Sequence, residues 1–372
     1  MHKINHANIK EWAKNYDGPL FDGILCDPPY ELGFMGKSWD SSGIAFDAEM
    51  WADIHKLLKP GGHLLAFSGS RTYHRMAVAI EDAGFEPRDM LVYCYGSGFP
   101  KSLNIGKAVD RLQGNERVVT GNNPNFRPVS GKEGYLGESN FRQTDGMSVK
   151  TKGTSEWEGY GTALKPAIEP IILARKPISE KNIALNVLKH GTGGLNIDGT
   201  RIKTSDSLDG GGTIDKSNYE TVTLPSVPVR GVTGNDTGGR FPANLIHDGS
   251  DEVEAVFPQT KGSSAPRTNK SGTNVAYGTY FKVTTQNDTL GDSGSASRYF
   301  YCAKASKSER NAGLEGFEPK ITNDGREKDI DNAFQRGTTL RSNHHPTVKP
   351  LSLTKYLATL IKPPTGGRLL VP

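Results

Sequence analysis

Phe21-Asp22-Gly23-Ile24-Leu25-Cys26-Asp27-Pro28-Pro29-Tyr30 is the stretch that decides the fold. The apolar run from Phe21 to Cys26 reads as a strand. Two prolines cannot continue a central ladder, so the strand must stop at Asp27 and turn. In α/β proteins ligands gather at the carboxyl edge of the sheet, and this turn delivers Asp27 there. Residues 31–45 are rich in Gly and Ser and read as a mobile loop.

Outward from that strand, helix and strand signals alternate. A helix is expected over about 48–58, with Trp51, Ile54, Leu57 and Leu58 on one face, ended by Lys59-Pro60-Gly61-Gly62. His63 to Phe67 reads as a strand buried on both faces. Ser70 is placed to cap a helix over 71–83, where Tyr73, Ala77, Ile80 and Ala83 form a stripe and Gly84 provides the exit. Met90 to Tyr95 is a third strand. The rhythm argues for an α/β sheet with parallel strands and crossover helices. Further on, Pro170–Arg175 reads as a strand, Ser179 as the cap of a helix reaching Lys189, and Ser297–Ala303 as a strand. A last helix is expected over 350–361 with Pro350 at its first position, then a strand over 368–371.

Between these elements the composition changes. Hydrophobic residues make up 35% of the 372, with Gly 44 and Pro 22, which points to a core interrupted by long polar segments. The division expected is a catalytic half over 1–110, a polar insertion over 111–165, core again over 166–202, a second polar insertion and candidate target-recognition region over 203–295, and a return to core over 296–372. Arg and Lys in these insertions, among them Arg117, Lys150, Lys152 and Arg240, suit phosphate contact. The net charge of +4 excludes any strong global field, so charge that faces nucleic acid must be local.

Cys26, Cys94 and Cys302 lie far apart in apolar stretches, without zinc spacing, and read as buried thiols. His344-His345 has no second ligand pair at metal spacing, so no metal is expected. No signal-peptide run or membrane-length apolar stretch occurs, and a cytoplasmic protein without membrane contact is expected.

The Asp27-Pro28-Pro29-Tyr30 corner has a specific chemical aptitude. The prolines stiffen the turn and remove two backbone donors, leaving carbonyls to accept. Tyr30 adds an aromatic face. An exocyclic amine on a planar ring presents two N–H donors and fits that cluster. Its lone pair is delocalised, and accepting its hydrogens returns electron density to nitrogen. A base inside a duplex must first be flipped out, and it then needs a stacking partner. The bland alternative is an ordinary turn at a strand end.

The chain resembles the amino-methyltransferases of DNA, the N6-adenine and N4-cytosine group, in the permuted β-type order found in phage and bacterial enzymes. The resemblance is carried by Asp27-Pro28-Pro29-Tyr30 and the stretches at 57–75, 92–110, 163–177, 191–202, 240–248, 297–310 and 345–361. It implies a Rossmann-like sheet and transfer of a methyl group from S-adenosyl-L-methionine to N6 of a flipped adenine. It also implies double-stranded DNA as partner, a homodimer as one expected assembly, and a place in restriction-modification. Asp27, Pro28, Pro29 and Tyr30 would be catalytic, and Asp27, Thr347, Lys349 and Pro350 would meet the cofactor. Phe99, Lys101 and Arg240 are candidate contacts to the target base or DNA. Asp27, where the cytosine group more often has Ser, favours adenine. The alternatives are N4-cytosine methylation and a catalytically inactive DNA-binding decoy. Methylation of protein glutamine or RNA fits less well, because Asn normally opens that turn.

About two dozen residues precede Asp27, too few for a cofactor-binding βαβ unit of ~30 residues, so the cofactor half is expected at the C-terminal end. The family pattern has an acidic residue where Val371 stands, and a Gly-rich turn where the chain stops at Pro372. The expectation is a C-terminally truncated methyltransferase sheet lacking the cofactor loop.

Overall fold

A computed structural model of the chain describes residues 3–32, 40–96, 98, 102–122, 149–204, 239–260, 293–303, 309, 316, 320–322, 339–341 and 348–372. A short helix α1 (Ile9–Lys14), capped by Asn8, leads into strand β1 (Phe21–Cys26). Helix α2 (Ala48–Lys56) starts at Asp47, whose carboxylate accepts from the Glu49 and Met50 amides, and which Lys10 ties to α1 at 2.5 Å. Next come β2 (Leu58–Phe67), α3 (Tyr73–Asp82) and β3 (Glu86–Cys94).

Two expectations about this region are corrected. Lys59-Pro60-Gly61-Gly62 does not separate helix from strand. It lies inside β2, where the pairing with β1 shifts register between Phe21 and Gly23. The irregularity tolerates Pro60, whose carbonyl accepts from Asn186 and Thr192 at 2.9 and 2.6 Å. Ser70 caps nothing; Thr72 holds the cap position of α3, and its hydroxyl is diverted to the Tyr30 carbonyl at 2.7 Å. The buried seam of α3 is Met76, Ala79 and Ile80, with Tyr73, Ala77 and Ala83 packed at its margin.

The polar insertion expected over 111–165 and the residues just before it hold α4 (Ile105–Gln113) and an antiparallel pair, β4 (Val118–Asn122) with β5 (Val149–Lys152). Asn104 caps α4 through the Lys107 amide, and Gly114 ends it at φ 70. Arg117 bridges Asp110 and Glu158 beneath the pair, so its charge is already matched within the chain.

Strand β6 (Ile168–Arg175) is followed by α5 (Ile183–His190). Asn182, not Ser179, caps α5, by accepting from the Leu185 amide. Strand β7 (Leu245–His247) and the short α6 (Asp251–Glu254) follow, then β8 (Gln259–Thr260) and β9 (Gly294–Ser295), which pair with each other. Of the strand expected over 297–303 only β10 (Tyr301–Cys302) forms; Ala296–Tyr299 is a 3-10 turn. Arg298 donates to the carbonyls of Gly294 and Ser295 at 2.8 and 2.6 Å, and this local bonding outweighs the aromatic preference for strand. A two-stranded pair, β11 (Lys320–Thr322) with β12 (Thr339–Arg341), precedes α7 (Leu351–Ile361) and β13 (Leu369–Leu370). Pro350 stands at the N-cap of α7 instead of its first position.

The central sheet has the order β10-β7-β3-β6-β2-β1-β13. The all-parallel expectation fails at β6, which runs antiparallel to both β2 and β3. Antiparallel neighbours need no crossover, so residues 95–167 leave β3 and enter β6 on one edge. Alternate residues of the inner strands face opposite cores. Ile24, Leu64, Ala66, Ile172 and Ala174 pack with α2 and α3. Leu25, Leu65, Phe67, Ile171 and Leu173 pack against Leu353, Tyr356, Leu357 and Leu360 of α7. Gly23 lets α7 close on β1, because a Cβ there would stand 2.9 Å from Ile361 Cδ1. Of the three thiols Cys26 is buried, Cys94 half-buried and Cys302 exposed, which corrects the expectation for Cys302.

A candidate active site at the carboxyl edge of the sheet

The strands β1, β2, β3 and β7 end at the same edge, and β6 begins there, as their pairing requires. Asp27 follows β1 directly, with 36% of its side chain exposed. Helix α7 runs back along the strands from this edge, so the residues just before it reach Asp27. Lys349 Nζ lies 3.1 Å from Asp27 Oδ2 and 3.3 Å from Glu169 Oε2. The same ammonium stands 5.1 Å from the centre of the Tyr30 ring and 5.0 Å from that of Phe67. The Tyr30 hydroxyl donates to Glu169 Oε2 at 3.2 Å. Its backbone carbonyl is pinned by Thr72 Oγ1. The Asp-Pro-Pro-Tyr turn is therefore held at both ends, at Asp27 by an ion pair and at Tyr30 by two hydrogen bonds.

Within this trio, two carboxylates against one ammonium leave one negative charge. Burial, then the negative charges of Glu169 and Asp27, push the Tyr30 phenol far above its ordinary range, so it stays a neutral donor. Tyr95, just past β3, is pushed up to about 12 by burial and then by Glu169, which marks it as part of the same neighbourhood. Burial, then Asp27, raises the Cys26 thiol, which disfavours a thiolate here.

The structure brings together Asp27, Pro28, Pro29, Tyr30 and Lys349 from the expected set, with Pro350 one residue on. Arg240 lies elsewhere, with its guanidinium 4.4 Å above the Tyr299 ring and its backbone paired with Ile202. Thr347, Phe99, Lys101 and His344-His345 lie outside the described residues. Glu169, Phe67 and Thr72 were not expected at the site. Glu169 carried a legible signal, a lone acid opening the apolar run Pro170–Ala174 in a buried strand, where a charge needs a partner. Phe67 and Thr72 read as ordinary core and loop residues.

A cleft of about 410 Å³ lies at the opposite edge, among Asp22, Gly23, Lys355, Lys362 and Arg368, away from this chemistry. Among the described residues no helix is long and apolar enough to cross a membrane, and no three His, Cys, Asp or Glu side chains converge as a metal site.

No family model matches the chain. The type II methyltransferase M.HindIII of Haemophilus influenzae is 28% identical over 151 residues, which are 40% of this chain and 37% of that protein. Over that stretch the chain is similar to a type II methyltransferase. It spans little more than a third of the M.HindIII sequence. Solved methyltransferase-like structures give weaker likenesses. The M1.HpyAVI–SAM complex is 16% identical with a TM-score of 0.26, over 49% of this chain and 57% of that one. TTHA0409 of Thermus thermophilus, complexed with S-adenosyl-L-methionine, is 13% identical with a TM-score of 0.27, over 49% and 56%. Scores this low bear no weight. The likeness to the type II methyltransferase is one of sequence.

Proposed function

We propose that the chain belongs to an S-adenosylmethionine-dependent enzyme that methylates N6 of a flipped adenine in double-stranded DNA. The observation that supports this best is the part-exposed Asp27 carboxylate, fixed by Lys349 beside the pinned Tyr30 turn. A carboxylate offers about four lone-pair sites, and Lys349 draws on one, so Asp27 keeps capacity to accept a hydrogen from an exocyclic amine. The Pro28 carbonyl would accept the second hydrogen, and Tyr30 would offer its ring to the base. The two acceptors would draw the nitrogen lone pair out of conjugation and orient it, a positional and electrostatic contribution.

The residues present suit the cofactor. At neutral pH it carries a sulfonium, an ammonium and a carboxylate, one net positive charge, and the trio of Asp27, Glu169 and Lys349 carries one net negative charge. Bound there, it supplies an activated methyl group on sulfur. Pro350 and Thr347 would lie against it together with Asp27, with Lys349 beside them. Arg240, Phe99 and Lys101 are proposed as contacts to DNA or the target base.

The test is incubation of the full-length protein with plasmid DNA and S-adenosylmethionine, followed by mass spectrometry of the nucleosides. N6-methyladenine is expected. N4-methylcytosine would move the assignment to cytosine, and neither product would overturn the reading.

A further inference from the structure

Lys349 is 9% exposed, an unusual place for an ammonium, which is strongly hydrated in water. Its lost water is replaced by four groups: the carboxylates of Asp27 and Glu169 at 3.1 and 3.3 Å, and the ring faces of Tyr30 and Phe67 at 5.1 and 5.0 Å. Acids and aromatic faces around one point are what an alkylated cation seeks, since it has few hydrogens to donate and binds through charge and π faces. Only the ammonium hydrogens distinguish Lys349 from such a ligand. Three strands supply the walls. Asp27 and Tyr30 follow β1, Phe67 ends β2 and Glu169 lies in β6 near its start, so strand pairing brings the four to one point.

We propose that Asp27, Glu169, Tyr30 and Phe67 form a cation cage in which the Lys349 ammonium and the positive centre of an onium ligand compete. Lys349 then acts as a built-in rival for the cage. A sulfonium or alkylammonium displaces it, because the two carboxylates accept either charge. A neutral thioether of the same shape does not, because removing the ammonium would leave both acids without a counter-charge. The cage thereby favours a charged methyl donor over the uncharged residue left after transfer. That last consequence rests on the methyltransferase reading; the cage itself does not.

The test uses the full chain and two small probes, trimethylsulfonium and the neutral tert-butanol, titrated at fixed ionic strength and followed by NMR of ring-labelled tyrosine. Lys349→Met removes the rival and is expected to tighten trimethylsulfonium about tenfold, within the range of a desolvated cation–π contact. Glu169→Gln removes one acid and is expected to weaken it by about the same factor. Neither change should move tert-butanol. Thermal melts establish that each variant is folded, and Glu169→Gln keeps the test decisive if Lys349→Met does not fold. Equal effects on both probes, or no change in trimethylsulfonium with either folded variant, would overturn the cage. Absence of S-adenosylmethionine binding by the full-length protein, with trimethylsulfonium behaving as expected, would remove the methyltransferase reading and leave the cage standing.

Discussion

The Arg368 amide donates to Asp22 Oδ2 at 2.5 Å, joining the last strand to the first across the whole chain, while Lys59 Nζ meets Asp22 Oδ1 at 2.7 Å. Asp22 is 5% exposed and β13 is only two residues long, so this carboxylate adds an anchor to a short ladder. Asp22→Ala should lower stability by roughly 2–4 kcal/mol, below the top of the buried-pair range because Lys59 is one-third exposed. Urea unfolding measures it. Limited proteolysis should also cut residues 362–372 before the rest of the sheet. A change under about 1 kcal/mol, typical of a single neutral hydrogen bond, would show that β13 is held by other contacts.

His63 predicts a pH dependence of stability. It is 5% exposed in β2, and burial, then the positive charges of Arg175 and Arg88, hold its pKa down to about 4 from an ordinary 6.5. The unfolded chain therefore binds a proton at a pH where the folded one does not. As pH falls from about 6.5 to about 4 the protein should lose stability, and the loss should level off below that. The magnitude is on the order of 3 kcal/mol. His63→Gln should flatten this part of the profile, read as urea midpoints at pH 7 and 4.5. An unchanged slope would assign the acid sensitivity to other groups.

Thr72 predicts a separation of activity from stability. Its hydroxyl holds the Tyr30 carbonyl and makes no cap bond to α3. Thr72→Val keeps the shape and should cost about 1 kcal/mol of stability. On the proposed function, methyl-transfer turnover should fall roughly tenfold because the Tyr30 turn is no longer fixed. Thr72→Ser should restore most of it. Turnover and melting temperature measured together check this; full activity in Thr72→Val would show that the prolines alone fix the turn.

The strand before Asp27, helices α2 and α7, and the turn at the strand's end were legible because apolar periodicity and paired prolines act locally. What escaped was decided by distant partners. The reversed direction of β6 could not be read from Ile168–Arg175, since a strand buried on both faces has the same composition either way. The KPGG stretch looked like a break because nothing in it announces the Asn186 and Thr192 side chains that satisfy Pro60. Lys349 was expected near a cofactor, but its embrace by Glu169 depends on a strand pairing between residues far apart in the chain.

The reversal of β6 has a further effect. Residues 95–167 have both feet on the rim beside Asp27, and near their base the Leu103 amide donates to Thr162 Oγ1 at 2.9 Å. Lengthening such an excursion adds only about 0.6 kcal/mol of closure entropy per doubling and shifts no rung of the sheet. An excursion that leaves and returns beside Asp27 can thus change length at little cost to the strands that floor the chemistry.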